Sequence, residues 1–305
     1  MAKTVSIGVC AYNEARRISA LLDSLEGQGL PQDFAVTEVL VVASGCTDGT
    51  DRIVEDRAKA EPRLTLIRES ERRGKSSAIN EILLRYKGDI LVLVNADARL
   101  LPGALFGLLQ EFDGNGGVDL ACGLPAPDSS ADPILDMVER GWWRIHNRTL
   151  QTLSDLGAGN HCCDELMAMK RGFAESIPTD LVNDGSYFGV LGALRGSTVR
   201  FCRSAVVIVD TPSSLYGLLR QRRRIVTGHH QVTGLLGRSP YTFEGLVTSR
   251  PVVAVRILVS ELLERPIQTL VFLGIAGPLE MISHLLSFLD RARNPGYKPV
   301  WPMVE

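Results

Sequence analysis

Apolar residues recur along this chain with two different periods. Short runs rich in β-branched residues, at positions 4–10, 38–43, 64–68 and 89–95, read as strands. Between them the apolar positions fall three and four residues apart: Ile18, Leu21, Leu22 and Leu25, then Ile79, Ile82, Leu83 and Tyr86, then Leu105, Leu108, Leu109 and Phe112. That spacing places each group on one face of a helix. Strands alternating with helices predict right-handed βαβ crossovers, a mainly parallel α/β sheet, and helices on both of its faces.

The run Asp89-Ile-Leu-Val-Leu-Val-Asn-Ala-Asp97 stands out, because five consecutive apolar residues lead into a carboxylate. A run so short and so apolar predicts a strand buried on both faces in the middle of the sheet. Asp97 then lies at the carboxyl end of a central strand, where open α/β sheets bind their ligands. Asn95-Ala96-Asp97 offers the oxygen atoms that hard divalent cations prefer. A cap on the helix expected near Pro102 is the structural alternative for Asp97. Two further strand ends, Cys10-Ala11-Tyr12-Asn13-Glu14 and the turn from Ala43 and Ser44 to Thr50, belong to the same edge, and the helix amino termini behind them favour phosphate. Arg72-Arg73-Gly74-Lys75-Ser76 opens the next helix with fixed positive charge. Glu69 stands where a P-loop needs glycine, and no GxGxxG follows any strand, which argues against both nucleotide motifs.

Beyond Val118 the alternation loosens. The pattern predicts a strand at 118–122, a Pro- and Ser-rich loop at 124–133, a long amphipathic helix through Trp142, Trp143 and Leu150, and a strand at 165–169. A helix opens at Leu181-Val182-Asn183-Asp184, and two short strands at 198–202 and 205–209 precede the basic run Arg220-Gln221-Arg222-Arg223-Arg224. This half is expected to extend the sheet and to receive a second substrate. Residues 266–289 are dominantly apolar and just long enough to span a bilayer. Pro278 and Glu280 near the middle suit an in-plane amphipathic helix or a docked helical pair about as well, and a buried core helix is the soluble alternative.

Composition narrows the classes. The 305 residues carry 33 basic and 35 acidic side chains, a net charge of -2, so no general attraction to nucleic acid is expected. Six scattered cysteines without a CxxC pair fit reduced thiols in a cytoplasmic protein, and no leader is expected ahead of the first strand. His161-Cys162-Cys163-Asp164 contains metal-ligand residue types, but neighbours in a strand point to opposite faces, so buried thiols are expected there instead. For His229-His230 a surface or packing role is expected, with reach to a cation or acceptor as the alternative.

Taken in order, the blocks at 4–14, 39–50, 74–80 and 89–97, with Val182-Asn183-Asp184 and Gln221-Arg222-Arg223-Arg224, resemble family 2 glycosyltransferases of the GT-A fold. The resemblance covers roughly residues 4–230. It implies an inverting transfer from a nucleotide-diphosphate sugar to a hydroxyl or phosphate of a lipid-linked or saccharide acceptor. By that resemblance Ala11, Tyr12, Asn13, Glu14, Ser44, Gly74, Lys75, Asn95 and Asp97 bind the donor, with Asp97 holding Mg2+ or Mn2+. Asp184 is then the general base, and Gln221 and Arg224 close over the site. A helix cap is the alternative for Asp184, and at least one of Arg222 to Arg224 is expected to be a solvated side chain. Asn95 and Asn183 stand where the family usually has acids, Ser44 where it often has one, and Ile225 where it usually has tryptophan.

The expected organisation is a catalytic domain at 1–230, with its donor half at 1–100 and its acceptor half at 101–230, followed by helices at 231–305 that contact a membrane through residues 244–290. That places the protein in the cytoplasm at the inner face of the cell membrane. Two other functions fit parts of the pattern. A sugar-phosphate nucleotidyltransferase shares the sheet and the acid, although residues 10–17 lack its Gly-rich basic signature. A silent sugar-nucleotide-binding module would explain Asn95 and Asn183, but not the presence of Asp97, Asp184, Gln221 and Arg224 together.

Overall fold

The computed structural model describes residues 2–114, 117–128 and 132–293. Strands β1 (Lys3–Ala11), β2 (Phe34–Ser44), β3 (Leu64–Glu69) and β4 (Ile90–Asn95) alternate with helices α1 (Ile18–Glu26), α2 (Thr50–Ala58) and α3 (Lys75–Arg85), as the two periods predict. These four strands are mutually parallel. Every residue of β4 from Ile90 to Val94 is at most 4% exposed, which confirms a strand covered on both faces.

The second half adds β5 (Arg99–Leu100), α4 (Ala104–Gln110), β6 (Val118–Pro127), α5 (Pro133–Asp155), β7 (Leu166–Lys170), α6 (Asp184–Leu194), β8 (Thr198–Val209) and α7 (Leu215–Leu236). All eight strands form one sheet in the order β3-β2-β1-β4-β7-β6-β8-β5. β7 runs antiparallel to both β4 and β6, while β6 and β8 are parallel, so the extension is mixed.

Three expectations need correction. The segment expected to leave the sheet at Leu124 stays in it, because Leu124 to Pro127 pair in parallel with Val206 to Val209 beyond a register shift; Ser129 and Ser130 of that expected loop lie outside the described residues. The two strands expected at 198–202 and 205–209 are one, with Arg203 and Ser204 exposed along it. Asp97 does not cap the next helix: β5 intervenes, and Gly103, in the left-handed region at φ 83°, occupies the cap of α4.

Two apolar layers sandwich the sheet. One joins α1 and α4 to Val5, Ile7 and Val9 of β1 and to Ile90, Val92 and Val94 of β4, through Ile18, Leu21, Leu105 and Leu108. The other joins α3 and α6 to the opposite face, through Ile79, Ile82 and Phe188. Each fully buried Leu, Ile or Phe contributes about 1.5–3 kcal/mol, so these layers outweigh the local preference of any turn between them.

Helices α8 (Phe243–Ser249), α9 (Pro251–Glu264) and α10 (Pro266–Arg293) complete the described chain, and residues 294–305 of the expected appendage lie outside it. Helix α7 runs through position 230 without a break. Phe272, Ala276 and Leu279 of α10 pack on Leu135, Val138 and Ile145 of α5 and on Leu218 of α7. Gly141 makes this approach feasible, since a β-carbon there would lie 2.3 Å from the Phe272 ring. Glu261 of α9, 2% exposed, accepts from Arg144 and Arg148 of α5 at 3.1 and 2.8 Å.

Candidate active site

The carboxyl ends of β1, β2 and β4 open onto one cleft. At the end of β1, Ala11 is buried and Tyr12 lies under the Arg72 guanidinium, 4.0 Å from its ring centre. Asn13 adopts φ 55°, an uncommon conformation for a residue with a side chain, and its Oδ1 accepts from the Thr47 amide at 2.8 Å. This bond ties the β1 turn to the β2 turn. Ser44 is a structural member of the edge: its Oγ accepts from the Arg73 amide at 3.1 Å. Gly45 beside it lets the 71–73 segment come close, because a β-carbon would sit 2.3 Å from the Arg72 nitrogen.

Helix α3 begins at the same edge and supplies the cation. Gly74, at φ 91°, sets the turn into α3, and Lys75 Nζ lies 2.5 Å from Asp164 Oδ2 and 3.1 Å from Asp184 Oδ1. Farther along the helix, Ser76 donates to the Leu181 carbonyl, and Asn80 both donates to and accepts from the Ile177 backbone. On the other side, Gln231 of α7 accepts from the Val182 amide and donates to the Asp180 carbonyl. The segment that delivers Asp184 is thereby clamped between two helices. Asp184 itself is the first residue of α6; the cap is Asn183, whose Oδ1 accepts from the Ser186 amide at 3.0 Å. The cap expected as an alternative role for Asp184 thus belongs to its neighbour.

Because β7 runs antiparallel to β4, residues 164 and 165 enter at the edge where β4 leaves, and the Asn95 amide donates to the Glu165 carbonyl at 3.2 Å. The result is a crowd of carboxylates around few cations. Burial pushes Asp184 up to about 6, with Lys75 pulling it down and Asp164 pushing it further up. Glu14 is raised to about 7 by burial and by Asp97, against the opposing pull of Arg17, which it meets at 3.2 Å. Asp97 is raised by burial and by Asp210, with Lys75 and Arg17 opposing. Glu165 is raised strongly by burial and by Asp164, and its Oε2 is buried without a hydrogen-bond partner among the described residues. For Lys75 burial acts downward, but Asp164 and Asp184 outweigh it and keep the ammonium charged.

The basic run of α7 divides by direction. Arg222 makes a two-pronged contact with Glu280 at 2.8 and 2.9 Å, and Arg223 pairs with Asp290, both on α10. Arg224 turns to the cleft, where burial lowers it to about 10 while Asp164 and Asp184 pull it back up, so it stays protonated at neutral pH. No member of the trio is a solvated side chain, which corrects the expectation for that block. Gln221 and Arg224 line the same cavity as Asn95, Asp164 and Glu165.

Residues 161–164 separate as expected of adjacent positions. Cys162 and Cys163 are buried thiols, Cys163 donating to the Gly123 carbonyl at 2.9 Å. Asp164 goes to Lys75, and His161 Nε2 is 3.1 Å from Ser186 Oγ. Sequence reading did not assign Asp164, Glu165 or His161 to the site. The signal available was His161 and Asp164 themselves, residue types that also suit a metal.

A divalent cation fits beside Asp97. Burial and the neighbouring carboxylates Glu14 and Asp210 push protons onto this group, which is the charge imbalance a cation relieves. Among the described residues no three His, Cys, Asp or Glu side chains surround one point, so such a cation would depend on ligand phosphates to complete its shell.

The family model described as glycosyl transferase family 2 matches residues 6–177. Among curated proteins, a dolichyl-phosphate beta-glucosyltransferase of Trichomonas vaginalis is 32% identical over 29% of this chain and 28% of its own length. A poly-beta-1,6-N-acetyl-D-glucosamine synthase of Staphylococcus epidermidis is 20% identical over 75% of this chain and 55% of its own length. The chain thus spans about half or less of the curated relatives it matches. Among solved structures, a mannosyltransferase from Pyrobaculum calidifontis in complex with GDP-Man and Mn2+ superposes with a TM-score of 0.67 at 24% identity, covering 97% of this chain and 89% of that one. Glucosyl-3-phosphoglycerate synthase from Mycobacterium tuberculosis, bound to Mn2+, UDP and phosphoglyceric acid, superposes with a TM-score of 0.52 at 20% identity over 76% of this chain and 79% of that one. The sheet and its flanking helices are the GT-A arrangement, and with more than half of its length matched, the chain belongs to glycosyl transferase family 2.

Proposed function

We propose that this protein is an inverting hexosyltransferase that moves a sugar from a nucleoside-diphosphate donor to an acceptor oxygen at the cytoplasmic face of a membrane. The observation that carries the reading is the convergence of Asp97, Lys75, Asp184 and Arg224 on one cleft at the carboxyl edge of the sheet. Residues 1–100 supply the donor half, residues 101–230 the acceptor half, and the remaining helices the membrane contact. The Mn2+ named with both solved relatives, and their GDP-Man and UDP, support a metal-assisted nucleotide donor.

In this reading the nucleoside lies over the turns after β1 and β2, against the Tyr12–Arg72 pair, with Asn13 and Glu14 at its edge. Bound at Asp97, Mg2+ or Mn2+ would neutralise the diphosphate as it departs. Asn95, without a charge, orients rather than neutralises. Lys75 and Arg224 add fixed positive charge toward the same phosphates. Asp184 takes the proton of the acceptor hydroxyl, whose oxygen bonds to the anomeric carbon from the face opposite the breaking bond to phosphate. A buried acid held near pH 6 suits proton transfer at neutral pH better than mere binding does, which favours catalysis over a silent module.

The outer surface of α9 and α10 supports the membrane contact. Val252, Leu263, Ile267 and Met281 are 74–81% exposed, whereas the inner side of α10 buries Thr269, Ser283 and Ser287. The inner side also buries Phe272, Ala276 and Leu279, so α10 is apolar on both sides, whereas a helix that faces water carries polar residues on its outer side. Helix α10 is long and apolar enough to cross a bilayer, but Glu280 and Asp290 are bound to α7, which favours an in-plane arrangement.

Thermal denaturation with GDP, UDP, ADP and CDP, each with Mn2+, tests the donor class. A ligand at about a hundred times its Kd stabilises the fold by about 2.7 kcal/mol. If none of the four raises Tm with Mn2+ over Mn2+ alone, the nucleotide-donor reading is wrong.

A further inference from the structure

Behind the carboxylates the cleft continues into a cavity of about 140 Å3 walled by α5, α7 and the turn into α8. Space of that size accommodates a group as large as a single sugar ring, or on the order of ten waters. A row of aromatic rings lines it. Trp143 and His146 are 5.4 Å apart, His146 and His161 5.5 Å, and His161 and His229 5.4 Å, each pair close to perpendicular. Two polar atoms on this wall are buried without a hydrogen-bond partner among the described residues, His229 Nε2 and Glu139 Oε1, and His161 beside them meets the Ser186 hydroxyl and the Tyr241 backbone. His161 is 8% and Glu139 3% exposed.

Buried polar atoms are almost always paired, so two orphans facing one cavity point to a ligand that pairs them. Their chemistry limits what that ligand is. Burial drives His161 down to about 3 and His229 well below its ordinary value, so both are neutral imidazoles with a donor and an acceptor nitrogen. Arg222 also borders the cavity, but its guanidinium is held by both oxygens of Glu280 and lies 3.6 Å from Glu244. Arg224 lines the cavity at its cleft end, where Asp164 and Asp184 draw it, so an anion farther in would meet Glu139 and two guanidinium groups already engaged by carboxylates. A hydroxyl group, which donates and accepts at once, matches this wall, and Trp142 and Trp143 in the lining add apolar surface for the C–H side of a polyol.

We propose that this cavity is the subsite for an uncharged, polyhydroxylated part of the acceptor, a sugar ring or a glycerol unit, bound by His161, His229 and Glu139 in preference to a phosphate. The assignment rests on the transferase reading above and narrows its acceptor to one that presents neutral hydroxyls.

The full chain carrying Trp301→Phe leaves Trp142 and Trp143 as its only tryptophans, so their fluorescence reports the cavity. Octyl β-glucoside, 1-O-octylglycerol and octyl phosphate, each below its micelle concentration, are titrated in parallel. At least one neutral probe should quench saturably and bind about tenfold or more tightly than octyl phosphate, since a site built for hydroxyls rejects groups that leave its partners unpaired. Which neutral probe binds separates a sugar from a glycerol unit. His229→Leu, and independently Glu139→Gln, should weaken that probe by about the same factor while Mn2+-dependent nucleoside diphosphate binding stays unchanged by calorimetry. Octyl phosphate binding as tightly as the neutral probes overturns the proposal. So does neutral-probe affinity that is absent, or unchanged in both variants, in protein that binds nucleotide. Protein that is folded but binds no nucleoside diphosphate contradicts the transferase reading instead.

Discussion

Lys75 Nζ stands 3.1 Å from Asp184 Oδ1 while it also binds Asp164, so one ammonium sets the charge of the acid proposed as base. Burial holds Asp184 at about 6, and Lys75 pulls it downward. A base works when deprotonated, so kcat/KM should rise with pH to a plateau above about 6 and fall below it. Removing the ammonium removes a downward pull, and Lys75→Met should therefore move the acid limb to higher pH. A pH–rate profile checks both, and an unmoved limb in Lys75→Met would show that Asp184 is not the titrating base. Asp184→Asn should slow transfer by about 10²–10⁴ with donor affinity intact.

Asp97 is predicted to carry the metal-dependent part of donor binding. Asp97→Ala should remove the gain in nucleoside diphosphate affinity that Mn2+ brings, and leave Tm without ligand close to wild type. Calorimetry with and without Mn2+ measures this, and a preserved metal effect moves the cation elsewhere.

Arg222 and Glu280 form a pair whose side chains are only 15% and 12% exposed. Removing one partner strands a charge where water is scarce, so Glu280→Ala should destabilise by about 3–5 kcal/mol. Replacing both, as Arg222→Met with Glu280→Leu, should restore most of the loss, because the partners left behind, Glu244 and His284, are 37% and 48% exposed and reach water. Chemical denaturation of the three variants decides. A double variant as unstable as the single would mean that the pair has net stabilising value.

The in-plane arrangement proposed for α9 and α10 predicts reversible membrane binding. Full-length protein should float with anionic vesicles and be released by alkaline carbonate. Ile267→Asp and Met281→Asp, at positions 74% and 75% exposed, should abolish flotation with little change in Tm. Retention through carbonate would favour a spanning helix, and unaltered flotation in the variants would place the contact on another surface.

The first hundred residues were legible because β4 and its neighbours follow simple periods and their helices fall between them. Asp97 and Asp184 could be found for the same reason, each lying at the end of a readable element. The single strand β8 was not legible, since Arg203 and Ser204 interrupt its apolar pattern: both are exposed and lie where its pairing with β6 shifts register between Phe201 and Val206. Nor was the strand through Pro125 and Pro127, residues that usually mark a loop and are tolerated where their missing N–H is not needed. The link from Lys75 to Asp164 spans 89 positions and exists only because β7 runs antiparallel into the sheet, a fact of topology that no local pattern carries. The same holds for the histidine row, whose members come from α5, α7 and the approach to β7.

Three successive arginines on α7 also make that helix a lever with two loaded sides. Arg222 and Arg223 hook α10 through Glu280 and Asp290, and Arg224, one position on, reaches the carboxylates of the cleft. If α10 settles on lipid as proposed, a tilt of that helix would pull on α7 through two arginine forks beside Gln221 and Arg224. The lipids beneath the protein would then bear on turnover even for an acceptor dissolved in water.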